Sequence, residues 1–309
     1  MSETGKYDVL VIGSLNADLV VRAPRFPQPG ETISGDDLHT IPGGKGANQA
    51  VAAARQGGRV AMLGRVGMDN FGDFLLENLK QNQVDVSNVQ RDDASTGTAI
   101  IVVDANGQNS IVLSAGANGH VSSADVDRAS SLTPSLILLQ LEIPSPTVLH
   151  AAQFAKANGA RVILNPAPAQ PLPDDLIRLA DFIIPNETEL SLLTGLEVKD
   201  SASAEAAAKA LLKRGVENVI VTLGSKGALV VSDTRVMQVD AYPIDVVDTT
   251  AAGDAFIGGF ASSLLRGLDL KDAVRYANAC GALAATKFGA QPSLPTKNEV
   301  ETFMSLHDQ

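Results

Sequence analysis

The chain runs to 309 residues, enough for one large α/β domain or two smaller ones around a sizeable core. Its 45% hydrophobic and 19% charged residues are those of an ordinary globular protein, and no apolar run reaches membrane-spanning length. The net charge of −11, from 24 basic and 35 acidic residues, argues against nucleic acid or an anionic membrane as main partner, while leaving room for a local phosphate pocket.

Along the chain, short runs rich in Val, Ile and Leu alternate with helical patterns. Strands are expected at Tyr7–Ile12, Val60–Leu63, Leu136–Leu141, Arg161–Leu164, Phe182–Ile184 and Val219–Thr222. Unbroken apolar runs of this kind suit a parallel sheet covered on both faces. Helices are expected at Lys45–Gln56, Phe71–Gln81, Pro146–Ala157, Ala204–Arg214, Gly253–Leu265 and Lys271–Thr286, with Asn158-Gly159 and Arg214-Gly215 as C-terminal stops. Two segments break the alternation. Ala17–Ile41 alternates polar and apolar residues between prolines, and Thr96–Ser114 reads as a hairpin turning at Asn106-Gly107. Both suit a small separate sheet acting as a lid. The lone Cys280 lies in an alanine-rich helical run as a buried, inert thiol, and fits a reducing compartment. No basic-then-apolar leader precedes Tyr7, so the cytoplasm is expected, and the sequon at Asn186-Glu187-Thr188 is discounted.

Polar residues gather where strands end. Asn16 and Asp18, two apart in extended chain, face one side and can grip adjacent hydroxyls. Glu142 closes the Leu136–Leu141 run. In open α/β sheets such positions flank the ligand crevice. Gly43-Gly44-Lys45-Gly46-Ala47-Asn48-Gln49 opens a helix with bare amides, but its spacing is neither a Walker A loop nor a dinucleotide fingerprint, where Gln49 would be glycine. Asn48 is hard to explain there by packing alone. Asn186 and Glu189 form a capping box, or else face a nucleotide phosphate and a Mg²⁺-bound water. Thr222-Leu223-Gly224-Ser225-Lys226-Gly227 is a turn or a phosphate-lining loop. Most telling is Asp248-Thr249-Thr250-Ala251-Ala252-Gly253-Asp254: small residues at a helix start, then a single carboxylate, an arrangement suited to a proton acceptor beside an anion site.

Together these stretches, with Gly289-Ala290-Gln291-Pro292-Ser293, resemble the ribokinase-like carbohydrate kinase family nearly end to end. The resemblance implies an α/β fold: a mostly parallel central sheet flanked by helices in three layers, with a small β-sheet lid. One kinase domain would span 1–309, its lid built from segments about 17–41 and 96–114 and used for homodimerisation. The implied reaction transfers the ATP γ-phosphoryl group to a sugar hydroxyl, with D-ribose at O5 the expected acceptor. Asp254 would be the general base, and the Ala252 and Gly253 amides an anion hole. Asn16, Asp18, Gly44, Lys45, Gly46, Asn48 and Glu142 would bind the sugar. Asn186, Thr222, Gly224, Ser225, Gly227, Gly253 and Asn278 would line the ATP site, with Glu189 supporting Mg²⁺. Asp248, Ser293 and the carbonyls of Thr250, Ala284, Lys287 and Gly289 would hold an activating K⁺. A neutral polyol is favoured over a sugar acid, which would want a nearby Arg, and over a nucleoside, since the lid has little aromatic content beyond Phe26. Deoxyribose, fructose or another small sugar stays open as substrate, as does a non-catalytic sugar-binding protein of the same fold.

Overall fold

The computed structural model describes residues 7–307, and the segment before Tyr7 lies outside them. In chain order its elements are β1 (Val9–Ile12), β2 (Asn16–Arg22), β3 (His39–Gly43), α1 (Lys45–Arg55), β4 (Val60–Gly67), α2 (Asn70–Gln81), β5 (Asp85–Asp92), β6 (Gly97–Val103) and β7 (Asn109–Ser114). Then come α3 (Ser123–Arg128), β8 (Leu136–Leu139), α4 (Ser145–Ala157), β9 (Arg161–Leu164), α5 (Asp174–Leu179), β10 (Phe182–Ile183), α6 (Glu187–Thr194) and α7 (Ser201–Leu212). The chain closes with β11 (Asn218–Thr222), β12 (Ala228–Ser232), β13 (Arg235–Val239), α8 (Ala252–Leu265), α9 (Leu270–Ala285) and α10 (Lys297–His307). Among these residues no helix is long and apolar enough to cross a membrane.

Nine strands form one sheet in the order β13-β12-β11-β10-β9-β8-β1-β4-β5. From β11 to β5 every neighbouring pair is parallel, and β12 and β13 add antiparallel hairpins at one edge. Alternation along β1 shows why helices cover both faces. Val9 and Val11 pack into one core with α1, α8 and α9, while Leu10 and Ile12 pack into the other with α4 and α7. The sheet is thus the middle of three layers, as expected.

A second sheet, ordered β3-β2-β6-β7, leaves the main one at the carboxyl end of β1. It is mixed rather than wholly antiparallel, because β2 and β6 run parallel between two antiparallel partners. The exposed Ile100, Ile111, Val112 and Leu113 belong to β6 and β7.

Three strands were not anticipated. β5 is a polar edge strand, Asp-Val-Ser-Asn-Val-Gln-Arg-Asp, with only two of its eight residues buried. β12 and β13 lie in a hairpin arm beyond the parallel run; β12, Ala-Leu-Val-Val-Ser, is an apolar run in its own right, but it follows a stretch that reads equally as a phosphate-lining loop. The stretch Leu223–Gly227 is the turn that joins this arm, closed by Leu223 N–H to the Gly227 carbonyl at 2.8 Å.

Candidate active site

The carboxyl ends of β1, β8, β9, β10 and β11 deliver Ser14, Glu142, Asn165, Asn186 and Thr222 to one edge of the sheet. α1 and α8 arrive at that edge from the same face. They approach closely because small residues line the contact: a side-chain carbon on Gly258 would stand 2.7 Å from the Ala53 nitrogen. One turn nearer the sheet edge, this crossing brings Asn48 and Gln49 against Asp254.

Both Asp254 oxygens are held by amides. Asn48 Nδ2 donates to Oδ2 at 2.9 Å, and Gln49 Nε2 donates to Oδ1 at 3.0 Å. The carboxylate is buried, and burial raises its pKa, opposed by Lys45 and by the two amides. Asn48 Oδ1 remains buried and unpartnered, an acceptor aimed at nothing in the chain.

α8 starts without a side-chain cap, and its first intrahelical bond runs from Ala255 to Ala251. Ala252 N–H is taken by the Thr249 carbonyl at 3.2 Å, so the Gly253 and Asp254 amides are the orphan donors of the first turn. Gly253 is exposed, with open space where a Cβ would stand.

The glycine-rich turn before α1 folds onto the β1–β2 link. Gly44 takes φ 87°, and a Cβ there would meet the Asn16 nitrogen at 2.7 Å, so only glycine brings the helix start this close. Ser14 and Glu142 fasten the turn: Ser14 Oγ donates to Glu142 Oε2 at 2.5 Å, and the Lys45 and Gly46 amides donate to Glu142 Oε2 and Ser14 Oγ at 3.1 and 3.3 Å. Asn16 and Asp18 share one face of β2 and are both buried. Asn118 aligns Asn16, pairing with both the Leu15 N–H and carbonyl as a strand would, and donating to Asn16 Oδ1 at 2.7 Å.

Burial works to lower the Lys45 pKa, but Asp254, Glu142, Glu189 and Asp18 around it outweigh burial and keep the ammonium charged. Burial, with Glu142 and Asp254 adding repulsion, pushes the Asp18 carboxyl up to about 7. Glu189 is raised by burial against its cap to Asn186.

Two cavities meet at this point. One of about 840 Å³ lies between the small sheet and the core, lined by Asp18, Arg22, Ile41, Val246, Asp248, Phe288 and Gly289 among others. The other, about 180 Å³, is lined by Lys45, Asn165, Asn186, Glu189, Thr222, Gly253 and Asp254. Thr249 and Thr250 line both. The Asp254 carboxylate thus stands in the wall of the smaller cavity, a few residues beyond the Thr249-Thr250 stretch that joins it to the larger one.

The family model described as pfkB family carbohydrate kinase matches residues 6–297. This chain belongs to that family. A ribokinase of Haemophilus influenzae is 44% identical over 297 residues, covering 95% of this chain and 97% of its own. A deoxyribokinase of Salmonella typhi is 41% identical over 305 residues, covering 97% and 100%. The structure of Arabidopsis thaliana ribokinase complexed with ribose and ATP superposes with a TM-score of 0.90 at 34% identity, covering 97% of this chain and 99% of that one.

Against that family pattern, the structure brings together Asp18, Lys45, Asn48, Glu142, Asn186, Glu189, Thr222, Gly253 and Asp254. It puts Gly224, Ser225 and Gly227 in the β11–β12 turn, outside the lining of either cavity. Asn278 holds backbone instead, its Nδ2 donating to the Val239 and Asp240 carbonyls at 3.0 Å each. Asp248 ties two loops together: Oδ1 accepts from Thr250 N–H at 2.9 Å, and Oδ2 from Gly289 N–H at 2.9 Å. Ser293 Oγ donates to the Ala290 carbonyl at 2.7 Å, beside that junction. The Asp248, Thr250, Ala284, Lys287, Gly289 and Ser293 set offers only oxygen donors, which fits a hard monovalent cation. No cluster of three or more carboxylate, His or Cys ligands exists among the described residues. Glu189 lines the smaller cavity, with both carboxylate oxygens accepting from Asn186.

Ser14, Gln49, Asn118 and Asn165 also belong to the site, though none is among the candidate residues of the sequence. Ser14 and Asn165 stand directly at strand ends, the signal that exposed Glu142. Arg22 also lines the larger cavity, its guanidinium 4.9 Å above the Phe288 ring, although no Arg was expected there.

Proposed function

We propose that this protein phosphorylates D-ribose at O5 with ATP, using Asp254 as general base. One observation carries the reading. Asp254 is a buried carboxylate held by two amides rather than by a cation, on the wall of the smaller cavity beside open first-turn amides, and Thr249 and Thr250 a few residues before it join that cavity to the larger one.

In this reading the sugar enters by the larger cavity, which Asp18 lines, and Asn16 on the same face of β2 and the unpartnered Asn48 Oδ1 would take its other hydroxyls. The ATP phosphates enter the smaller cavity past Asn186 and Thr222. The sugar oxygen forms its bond to the γ-phosphorus as the bond to the β-phosphate bridging oxygen breaks, and Asp254 takes the hydroxyl proton. Charge developing on the transferred group meets the Gly253 amide and the α8 dipole, and the Lys45 ammonium stands nearby. Glu189 is the carboxylate that would orient a water of Mg²⁺, which, carried on the phosphates, would supply further charge neutralisation. K⁺ held by the Asp248–Ser293 set would fix the loop leading into α8. The small sheet acts as the lid, and its exposed Ile100, Ile111, Val112 and Leu113 suit pairing with a second copy. ATP consumption and a single buried thiol suit the cytoplasm.

The deoxyribokinase relative keeps 2-deoxyribose as a second reading, since that sugar shares the reacting hydroxyl. ADP release, measured by a coupled assay over ribose, 2-deoxyribose and fructose, separates them. Ribose should give the highest kcat/KM. Preference for 2-deoxyribose would shift the assignment within the family, and no turnover with any sugar would remove it.

A further inference from the structure

Gln49 is fully buried and donates to the catalytic carboxylate, yet an amide side chain can turn either end toward its neighbour. Turned the other way, its carbonyl oxygen would face the Asp254 oxygen and repel it. Four buried contacts decide the direction. Asn165 Nδ2 donates to the Ile184 backbone carbonyl at 3.1 Å, and since a carbonyl can only accept, Asn165 Oδ1 must point the other way, toward Gln49. Gln49 Nε2 reaches that oxygen at 3.2 Å and Asp254 Oδ1 at 3.0 Å, which uses both of its N–H groups. Gln49 Oε1 then accepts from Gln140 Nε2 at 2.5 Å. Gln140 is also fully buried, one residue past β8, and its own Oε1 has no partner. That oxygen packs over the Gly13 backbone, where a Cβ would collide with it.

A buried polar atom left unsatisfied is costly, and the strand end would tolerate an apolar side chain more easily. Gln140 makes one hydrogen bond from this position, and that bond points Gln49 at the base.

We propose that Gln140 is a positioning residue for phosphoryl transfer: through Gln49 it keeps an N–H, not a carbonyl, facing Asp254. The proposal rests on Asp254 being the general base. Its effect has two parts. The N–H stabilises the ionised carboxylate against burial, and it fixes the oxygen that receives the proton.

The test is kcat against pH for Gln140→Met, Gln49→Met and the double variant, with thermal melts alongside. Methionine keeps length and volume but cannot donate to the Gln49 oxygen. Gln140→Met should lower kcat about tenfold and move its acid limb up by about one pH unit, leaving KM for the sugar within about twofold. The double variant should be no worse than Gln49→Met alone, because one variant acts through the other. A uniform loss with an unmoved acid limb, or effects that multiply fully in the double variant, would overturn the proposal. Should Gln140→Met not fold, side-chain amide NMR on the unmutated protein decides. Gln49 NH₂ signals must shift as Asp254 titrates, with Gln140 following at smaller amplitude, and silent signals would overturn it. Asp254→Asn with normal turnover would instead remove the base assignment beneath it.

Discussion

Gly253→Ala separates fold from chemistry, because the two should respond with opposite sign. Gly253 is the second residue of α8, has ordinary helical backbone, and has nothing within 4 Å of the position a Cβ would take. Alanine removes backbone freedom from the unfolded chain and favours the helix, a gain of up to about 1 kcal/mol. For a protein of 309 residues that is a Tm rise of up to about 1–2 °C. The same methyl group projects into the 180 Å³ cavity beside the orphan amides of the α8 first turn. A phosphoryl oxygen displaced from one such donor forfeits about 10²–10³ in kcat, or roughly 3–4 kcal/mol of transition-state stabilisation. Differential scanning calorimetry and a coupled ADP assay on one preparation read both quantities. A variant of equal or higher Tm with kcat within threefold of the parent would refute the placement of the reacting phosphoryl group at this helix end.

Two further substitutions test the electrostatics and the frame. Asp18, held near 7 when folded against 3.8 ordinarily, favours folding only while protonated, so its contribution falls as pH rises from about 4 to about 7, by at most about 4 kcal/mol. Asp18→Asn should therefore gain stability over the parent between pH 5 and pH 8 in urea melts while losing sugar affinity, and a stability difference that stays constant with pH would contradict this. Arg55 Nη1 donates to the Gln291 and Leu294 carbonyls at 2.9 and 2.5 Å, so the C-terminal end of the helix carrying Asn48 and Gln49 also holds the loop carrying Gly289 and Ser293. Arg55→Met should destabilise by about 2–4 kcal/mol in urea and weaken activation by K⁺, and an unchanged midpoint would show that the loop holds itself.

Much of this was legible in the chain because each signal has a local cause. Apolar runs marked the central strands, and the six expected helices stand within about three residues of their expected bounds. β5 escaped because an edge strand exposes one side to water and keeps polar residues, erasing the apolar run. β12 and β13 escaped because the turn Leu223–Gly227 looked as much like a phosphate loop as a hairpin bend. Asp254 stood out by its company of small residues. Gln49 did not, since only the tertiary crossing of α1 and α8 puts it on a carboxylate 205 residues away. Gln140 was hidden for the same reason: its partner is 91 residues distant, and nothing nearby in sequence hints at it. Arg22 shows the converse. Its place in the larger cavity depends on how the second sheet folds back, which no local pattern encodes.

The most direct measurement is a pair made on Asp254→Asn: ribose binding by calorimetry, and single-turnover phosphoryl transfer from ATP. Asparagine keeps the size and an acceptor for one of the two amides but cannot take a proton. The expected result is a folded protein that binds ribose within a few-fold of the parent and transfers about 10²–10⁴ times more slowly. Transfer at close to the parental rate would show that the proton goes elsewhere, and that this carboxylate is a helix-end residue only.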